Sequence, residues 1–167
     1  APWAGLYTLI VPGTNDPAAG PGGDGYGTLK VDANGNVKLS GKLADNSTLS
    51  QKAPLSKNGE WPLYVPLYSK KGSLCSWVQF DTNFPAAGLK GILDWFKPTV
   101  TKGIYATGFT NQSLLTGSTY VPPASKTNRV VTLADDAIIV SGGDLDSFTN
   151  YIVLTQDNKV TTTNAGL

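Results

Sequence analysis

Histidine and methionine are absent from this chain, and cysteine and glutamate each occur once, as Cys75 and Glu60. Without His, the commonest general base and the commonest transition-metal ligand are missing. A single Cys excludes an internal disulfide, a thiolate zinc site and an iron–sulfur cluster. Charge is also scarce: 15% of residues are charged, against roughly 25% in average soluble domains. Thirteen basic and 12 acidic side chains leave a net charge of +1, so no electrostatic footprint for nucleic acid or an anionic membrane surface is present. No apolar run approaches the roughly 18 residues a spanning helix needs. No signal peptide is visible, because Ala1-Pro2-Trp3 opens directly onto a strand-like run. A start at Ala fits a processed mature terminus or a cut boundary.

The deficit in charge is filled by 19 Gly, 11 Pro and many Ser, Thr and Asn, which are turn and β-surface residues. The hydrophobic period is two nearly everywhere. Alternating or β-rich runs are read at 5–11, 26–31, 37–43, 48–55, 61–68, 74–80, 89–96, 111–120, 129–133, 137–140, 151–155 and 159–163. Asn34-Gly35 supplies positive φ at low cost and is the strongest hairpin signal. Pro62 and Pro66 argue that 61–68 is an edge strand or carries a bulge, since proline cannot donate to a ladder. Leu89, Ile92, Leu93 and Phe96 also fit a helical spacing. Gly88, Gly91 and Pro98 cut that run too short for a helix, so strand is favoured. Short strands every 8–12 residues or so predict an all-β, antiparallel meander closing into a barrel or barrel-like sandwich. No linker divides the chain, so 1–167 is taken as one domain, with the nearest thing to a boundary near 84–102. The Gly/Pro-rich loop 14–25 is longer than ordinary hairpin loops and is expected to be mobile in an isolated monomer and ordered in an assembly.

Few residues offer chemistry. Glu60 and Asp94, the latter beside Trp95, are the only acid–base candidates, and each reads more simply as a turn cap and an outward strand residue. Asp32, Asn34 and Asn36 superficially suggest a calcium loop, but Leu43 stands where an EF-hand needs its bidentate Glu. Asp135, Asp136, Asp144 and Asp146 form a second acidic stretch, most simply solvated turns. Neither a G-x-S-x-G elbow nor an S-x-x-K motif occurs. No catalytic residue, metal site or cofactor is therefore expected. Cys75 is read as a small buried hydrophobe, and Trp77 and Trp95 as core. The sequons at Asn46 and Asn111 are read as ordinary polar positions. Trp61 and Tyr64 lie three apart on one strand and so face opposite sides, with Tyr68 on the Tyr64 side. An exposed ring among Trp61, Tyr64 and Tyr68 would suit stacking on sugar rings.

The segment Tyr26-Gly27-Thr28-Leu29-Lys30-Val31-Asp32, continued by Gly35, Val37, Leu39, Gly41 and Leu43-Ala44-Asp45, resembles an uncharacterised β-rich module that recurs in large secreted and surface proteins of environmental bacteria. The likeness extends through Trp61-Pro62-Leu63-Tyr64, Leu67-Tyr68, Lys71-Gly72-Ser73-Leu74, Phe80, Trp95 and Gly108-Phe109. It implies an extracellular, non-catalytic building block and transfers no catalytic residue. It also implies further Gly- and Phe-rich hairpins after Leu167. On that expectation Val160, Thr161, Thr162 and Thr163 form an open strand edge, available to a later segment, a second chain or another copy. The N-terminal run 4–11 is its in-chain competitor.

The expected function is thus a secreted or cell-surface structural or adhesive β-module, not an enzyme, assembling through strand-edge pairing. Its expected partners are other chains or domains of an extracellular assembly. The alternative is a carbohydrate-binding module using Trp61, Tyr64 and Tyr68 on a polysaccharide; a small hydrolase comes third.

Overall fold

The computed structural model describes residues 1–16, 18–81, 88–125, 127–131, 136–142 and 145–162. These fall into two compact units, 1–120 and 121–167, and the described elements are strands apart from one short 3-10 turn at Tyr68–Lys70.

The first unit is an eight-stranded antiparallel meander: β1 (Gly5–Val11), β2 (Gly25–Val31), β3 (Asn36–Lys42), β4 (Thr48–Pro54), β5 (Glu60–Leu67), β6 (Gly72–Asp81), β7 (Gly88–Lys97) and β8 (Phe109–Thr119). The sheet order is β4-β3-β2-β1-β8-β7-β6-β5. Written around a circle this is simple chain order, and only β4 and β5 lack a ladder. At that seam Gln51 Nε2 donates to the Pro62 carbonyl at 2.8 Å, so the sheet nearly closes into a barrel. Pro62 and Pro66 sit on β5, which pairs only with β6, as proline's missing N–H requires. The run 89–96 is β7, laddered on both sides; the stretch 84–102 therefore holds a central strand.

Strict alternation turns one side of every strand inward. Tyr7, Leu9, Val11, Leu29, Val37, Leu39, Leu49, Trp61, Leu63, Val65, Leu74, Val78, Phe80, Leu93, Trp95 and Leu115 fill the interior, which leaves a packed core rather than a ligand cage. Edge-to-face ring pairs close it, Tyr7 on Phe80 at 5.1 Å and Trp95 on Phe109 at 4.9 Å between centroids. The β2–β3 hairpin turns at Gly35 (φ +83°). Asp32 organises that turn, its carboxylate accepting from the Asn34 and Asn36 backbone N–H groups and from Asn36 Nδ2, each at 2.9 Å. The carboxylate suggestive of a calcium loop is thus occupied by its own turn, and these bonds hold it below its ordinary pKa, the Asn36 side chain contributing most.

The loop between β1 and β2 is tied back on itself: Thr14 N donates to Pro21 O at 2.9 Å and Gly13 N to Asp24 Oδ1 at 2.9 Å. Gly20 and Pro21 are buried, Gly20 lying against the Phe109 ring.

The second unit is a three-stranded antiparallel sheet in the order β11-β10-β9, with β9 at Asp136–Gly142, β10 at Leu145–Leu154 and β11 at Val160–Thr162. Arg129 to Val131 are not strand; the rest of the expected strand 129–133 lies outside the described residues, as do Asp135 and Asp144. Asn158, at φ 61° in the β10–β11 turn, accepts from the Val130 N–H at 2.7 Å and donates to the Asn128 carbonyl at 2.9 Å. Register places Ile138, Val140, Phe148, Ile152, Leu154 and Val160 on one face.

Candidate functional site

The outer face of β5–β8 departs from what alternation usually leaves outside. Strand register sets Pro62 opposite Trp77, Tyr64 opposite Cys75, Cys75 opposite Asp94, Asp94 opposite Gln112, Ile92 opposite Leu114 and Ser73 opposite Phe96. Trp77 is 72% exposed and Tyr64 56% exposed, and Ile92, Phe96 and Leu114 are exposed beside them. An outward apolar row therefore runs from Pro62 through Trp77 and Ile92 to Leu114. Contiguous exposed apolar surface of this kind marks contact sites on soluble proteins.

Trp77 stands out because of the phase of its strand. Leu74, Val78 and Phe80 are buried, which commits the even positions of β6 inward and the odd ones outward. The expectation that Trp77 is core is therefore overturned, while Trp95, in phase with Leu89 and Leu93 on β7, is buried. The β6–β7 ladder is interrupted beside Trp77: pairing runs from Ser73–Phe96 to Ser76–Leu93 and resumes at Gln79–Lys90. Ser76 Oγ donates to the Ile92 carbonyl at 2.7 Å across the gap. Gly91 permits that approach; a Cβ there would lie 2.5 Å from Ser76 Oγ and 2.6 Å from the Trp77 carbonyl oxygen. An open depression of about 580 Å³ results, lined by Pro62, Leu63, Cys75, Ser76, Trp77, Ile92 and Asp94. Cys75 is half buried on this wall instead of inside the core. Asp94, exposed as expected, accepts at Oδ1 from Gln112 Nε2 at 2.9 Å. Glu60 opens β5, its N–H donating to Ser56 Oγ of the preceding turn at 3.0 Å, and register sets it opposite Gln79, well along the strand from Asp94.

The three rings expected as a sugar platform separate. Tyr64 is on the outer face. Trp61 is fully buried and offers no exposed ring, in keeping with opposite faces for the two. Tyr68 does not continue the strand, because Tyr68, Ser69 and Lys70 all take positive φ (51°, 58° and 68°). That run of left-handed residues, costly without glycine, swings Tyr68 against the core instead of the Tyr64 side. Its hydroxyl donates to Asp45 Oδ2 at 2.6 Å and accepts from Trp95 Nε1 at 3.0 Å. Lys97 Nζ lies 3.7 Å from the same Asp45 oxygen and 3.9 Å from the Tyr68 ring centroid. Both charged side chains are buried, at 9% and 3% exposure. Burial, then the Asp45 carboxylate, push the Tyr68 hydroxyl's pKa well up. Every member has a partner, so the cluster works as a lock joining the β3–β4 turn to β5 and β7, a part no composition signal announces.

Val160, Thr161 and Thr162 form β11, laddered to β10 on one side; Thr163 lies outside the described residues. Their other side has no ladder partner among the described residues. The proposed competitor, residues 4–11, is committed elsewhere, since β1 pairs with both β2 and β8. No described helix is long and apolar enough to cross a membrane. Among the described residues no three His, Cys, Asp or Glu side chains gather in a way that would hold a metal ion. Compared with known proteins, the chain matches no family model, no curated protein and no solved structure.

Proposed function

We propose that this chain is a non-catalytic adhesive module of an extracellular assembly, and that its working surface is the outer face of β5–β8. One observation carries the reading: the β5–β6 ladder holds Trp77 outward at 72% exposure, beside Pro62 and with exposed Ile92 and Leu114 on the neighbouring strands. Leaving such side chains in water forgoes about 1.5–3 kcal/mol each, a cost that a contact surface recovers on binding. The low charge, the Gly- and Thr-rich β composition and the resemblance to a surface-protein module support the extracellular setting. The test is adhesion of beads coated with the chain to surfaces carrying either extracellular polysaccharides or extracellular proteins. Retention is expected for the native chain and its loss for W77A/I92T/L114T. Equal retention of both forms, or none of either, would overturn the proposal.

A second reading rests on β11. An edge strand with one ladder partner presents unpaired N–H and C=O groups that another strand can take up. Concentration-dependent association in sedimentation velocity, abolished by Thr161→Pro, is the expected result; a monomer at every concentration would exclude self-pairing.

A further inference from the structure

We propose that the depression beside Trp77 binds a neutral polysaccharide chain, an inference that rests on the outer face of β5–β8 being the working surface. The indole supplies a flat apolar platform for the C–H face of a sugar ring, and its backbone is held by the β5–β6 ladder. Tyr64 supplies a second ring. Trp77 pairs with Pro62, so Tyr64 is its diagonal neighbour, a Cα separation of roughly 7–8 Å. That span exceeds one pyranose ring, which makes the ligand a chain and not a monosaccharide.

The polar groups beside the rings suit hydroxyls. Asp94 Oδ1 is engaged by Gln112 Nε2 at 2.9 Å, which fixes both side chains while Asp94 Oδ2 and Gln112 Oε1 still have acceptor capacity toward solvent. A carboxylate satisfied by hydroxyl donors needs no counter-charge. A second copy packed flat on this face would instead desolvate Asp94 with no cation among Cys75, Gln112, Ile92 and Phe96 to meet it, since Lys90, the lysine on the same outward row of β7, stands further along the strand opposite Gln79, and a protein partner would have to bring a cation of its own. An acidic polymer is disfavoured by the same carboxylate and would go to the opposite half of the barrel, where Lys30, Lys38 and Lys52 stand directly across from one another and are exposed. The depression is open to solvent, unlike the enclosed pockets that take small apolar ligands, so a chain need not be engulfed to reach it.

Affinity electrophoresis of the full chain in native gels tests this, with galactomannan, xylan, mixed-linkage β-glucan and laminarin as neutral polymers and alginate and pectin as acidic ones. At least one neutral polymer is expected to retard the native chain. W77A should weaken that retardation by about tenfold or more, and Y64A and D94N by a few-fold each, if ring stacking and hydroxyl contacts carry the affinity. Tyr26→Ala, an exposed ring on β2, should leave it unchanged, and unaltered melting of W77A would show that the loss is local. Trp77 is the one tryptophan on the surface among four, Trp3 being half buried and Trp61 and Trp95 buried. Protection of its fluorescence from acrylamide by the retarding polymer gives a second readout. No retardation by any neutral polymer, retardation unchanged in W77A, or retardation by acidic polymers alone would overturn the proposal. Bead adhesion to protein-coated surfaces alone, lost in W77A/I92T/L114T, would sink the polysaccharide while leaving the contact face in place.

Discussion

The two halves of the barrel share one interior but not one exterior. On β2–β4 the outward positions include Thr28, Lys30, Lys38, Ser40, Ser50 and Lys52, with Tyr26 the exposed ring. On β5–β8 they include Tyr64, Trp77, Ile92, Phe96 and Leu114, with Glu60, Lys90 and Asp94 the exposed charges of β5 and β7. Inward, both halves alternate the same way and bury the same kinds of side chain. Burial constrains the inner face far more tightly than the outer one, where cross-strand pairs contribute only about 0.2–1 kcal/mol each, so the core leaves the two exteriors free to differ.

The contrast between inner and outer rings is the first place to break it. Trp95→Ala should cost about 3–5 kcal/mol of unfolding free energy, as large-to-small changes in a packed core do, whereas Trp77→Ala should stay within about 0.5 kcal/mol; urea denaturation of both variants measures the difference. Comparable losses would mean that Trp77 is structural after all. The join between the halves is the next. Asp45 comes from the β3–β4 turn, and Tyr68 and Lys97 from the far side of the unladdered seam, so Asp45→Ala strands a buried cation and is expected to cost about 3 kcal/mol. The same join sets a pH limit. The Tyr68 pKa is raised in the folded chain, so the stability linked to it is fully present below the ordinary tyrosine pKa of about 10 and declines as pH climbs beyond it. Urea titrations from pH 8 to 11 should show that decline and Tyr68→Phe should reduce it, while Tyr7, whose hydroxyl is also pushed up by burial, keeps a remainder. The smallest effect belongs to the lysine row. Lys38 stands directly opposite Lys30 and Lys52, and Lys38→Glu should raise stability by about 0.5 kcal/mol, less at high salt; a melting curve shifted down would show that the row is not under repulsion.

Most of the strand pattern is legible in the sequence because one physical rule, alternation against a packed interior, writes it. Asn34-Gly35 announces its hairpin, and Pro62 and Pro66 announce the edge, since each acts through local backbone geometry. Trp77 is misread as core because a large apolar ring suggests burial, although the phase set by Leu74, Val78 and Phe80 already points it outward. Tyr68 escapes for a different reason. Counting offsets along a strand assumes extended backbone, and nothing in Tyr68-Ser69-Lys70 marks three successive left-handed residues. The Asp45–Lys97 contact joins residues far apart in the chain, and no pattern within a short window reports it.

The circular order of the strands has a consequence for how the first unit reaches its fold. Six of its seven ladders join consecutive strands, so each closes a connection far shorter than the unit itself. The seventh, β1 with β8, sets Tyr7 against Thr119 and Ile10 against Thr116, so nearly the whole unit must be gathered before it can form. Loop-closure entropy makes such a contact late and slow. Gly117 sits in that ladder opposite Leu9, and a methyl added there would come 2.5 Å from the Thr8 carbonyl oxygen. The β1–β8 junction, rather than any turn, is therefore expected to pace refolding: Gly117→Ala should slow stopped-flow refolding, and a change confined to its unfolding rate would place the closure after the barrier.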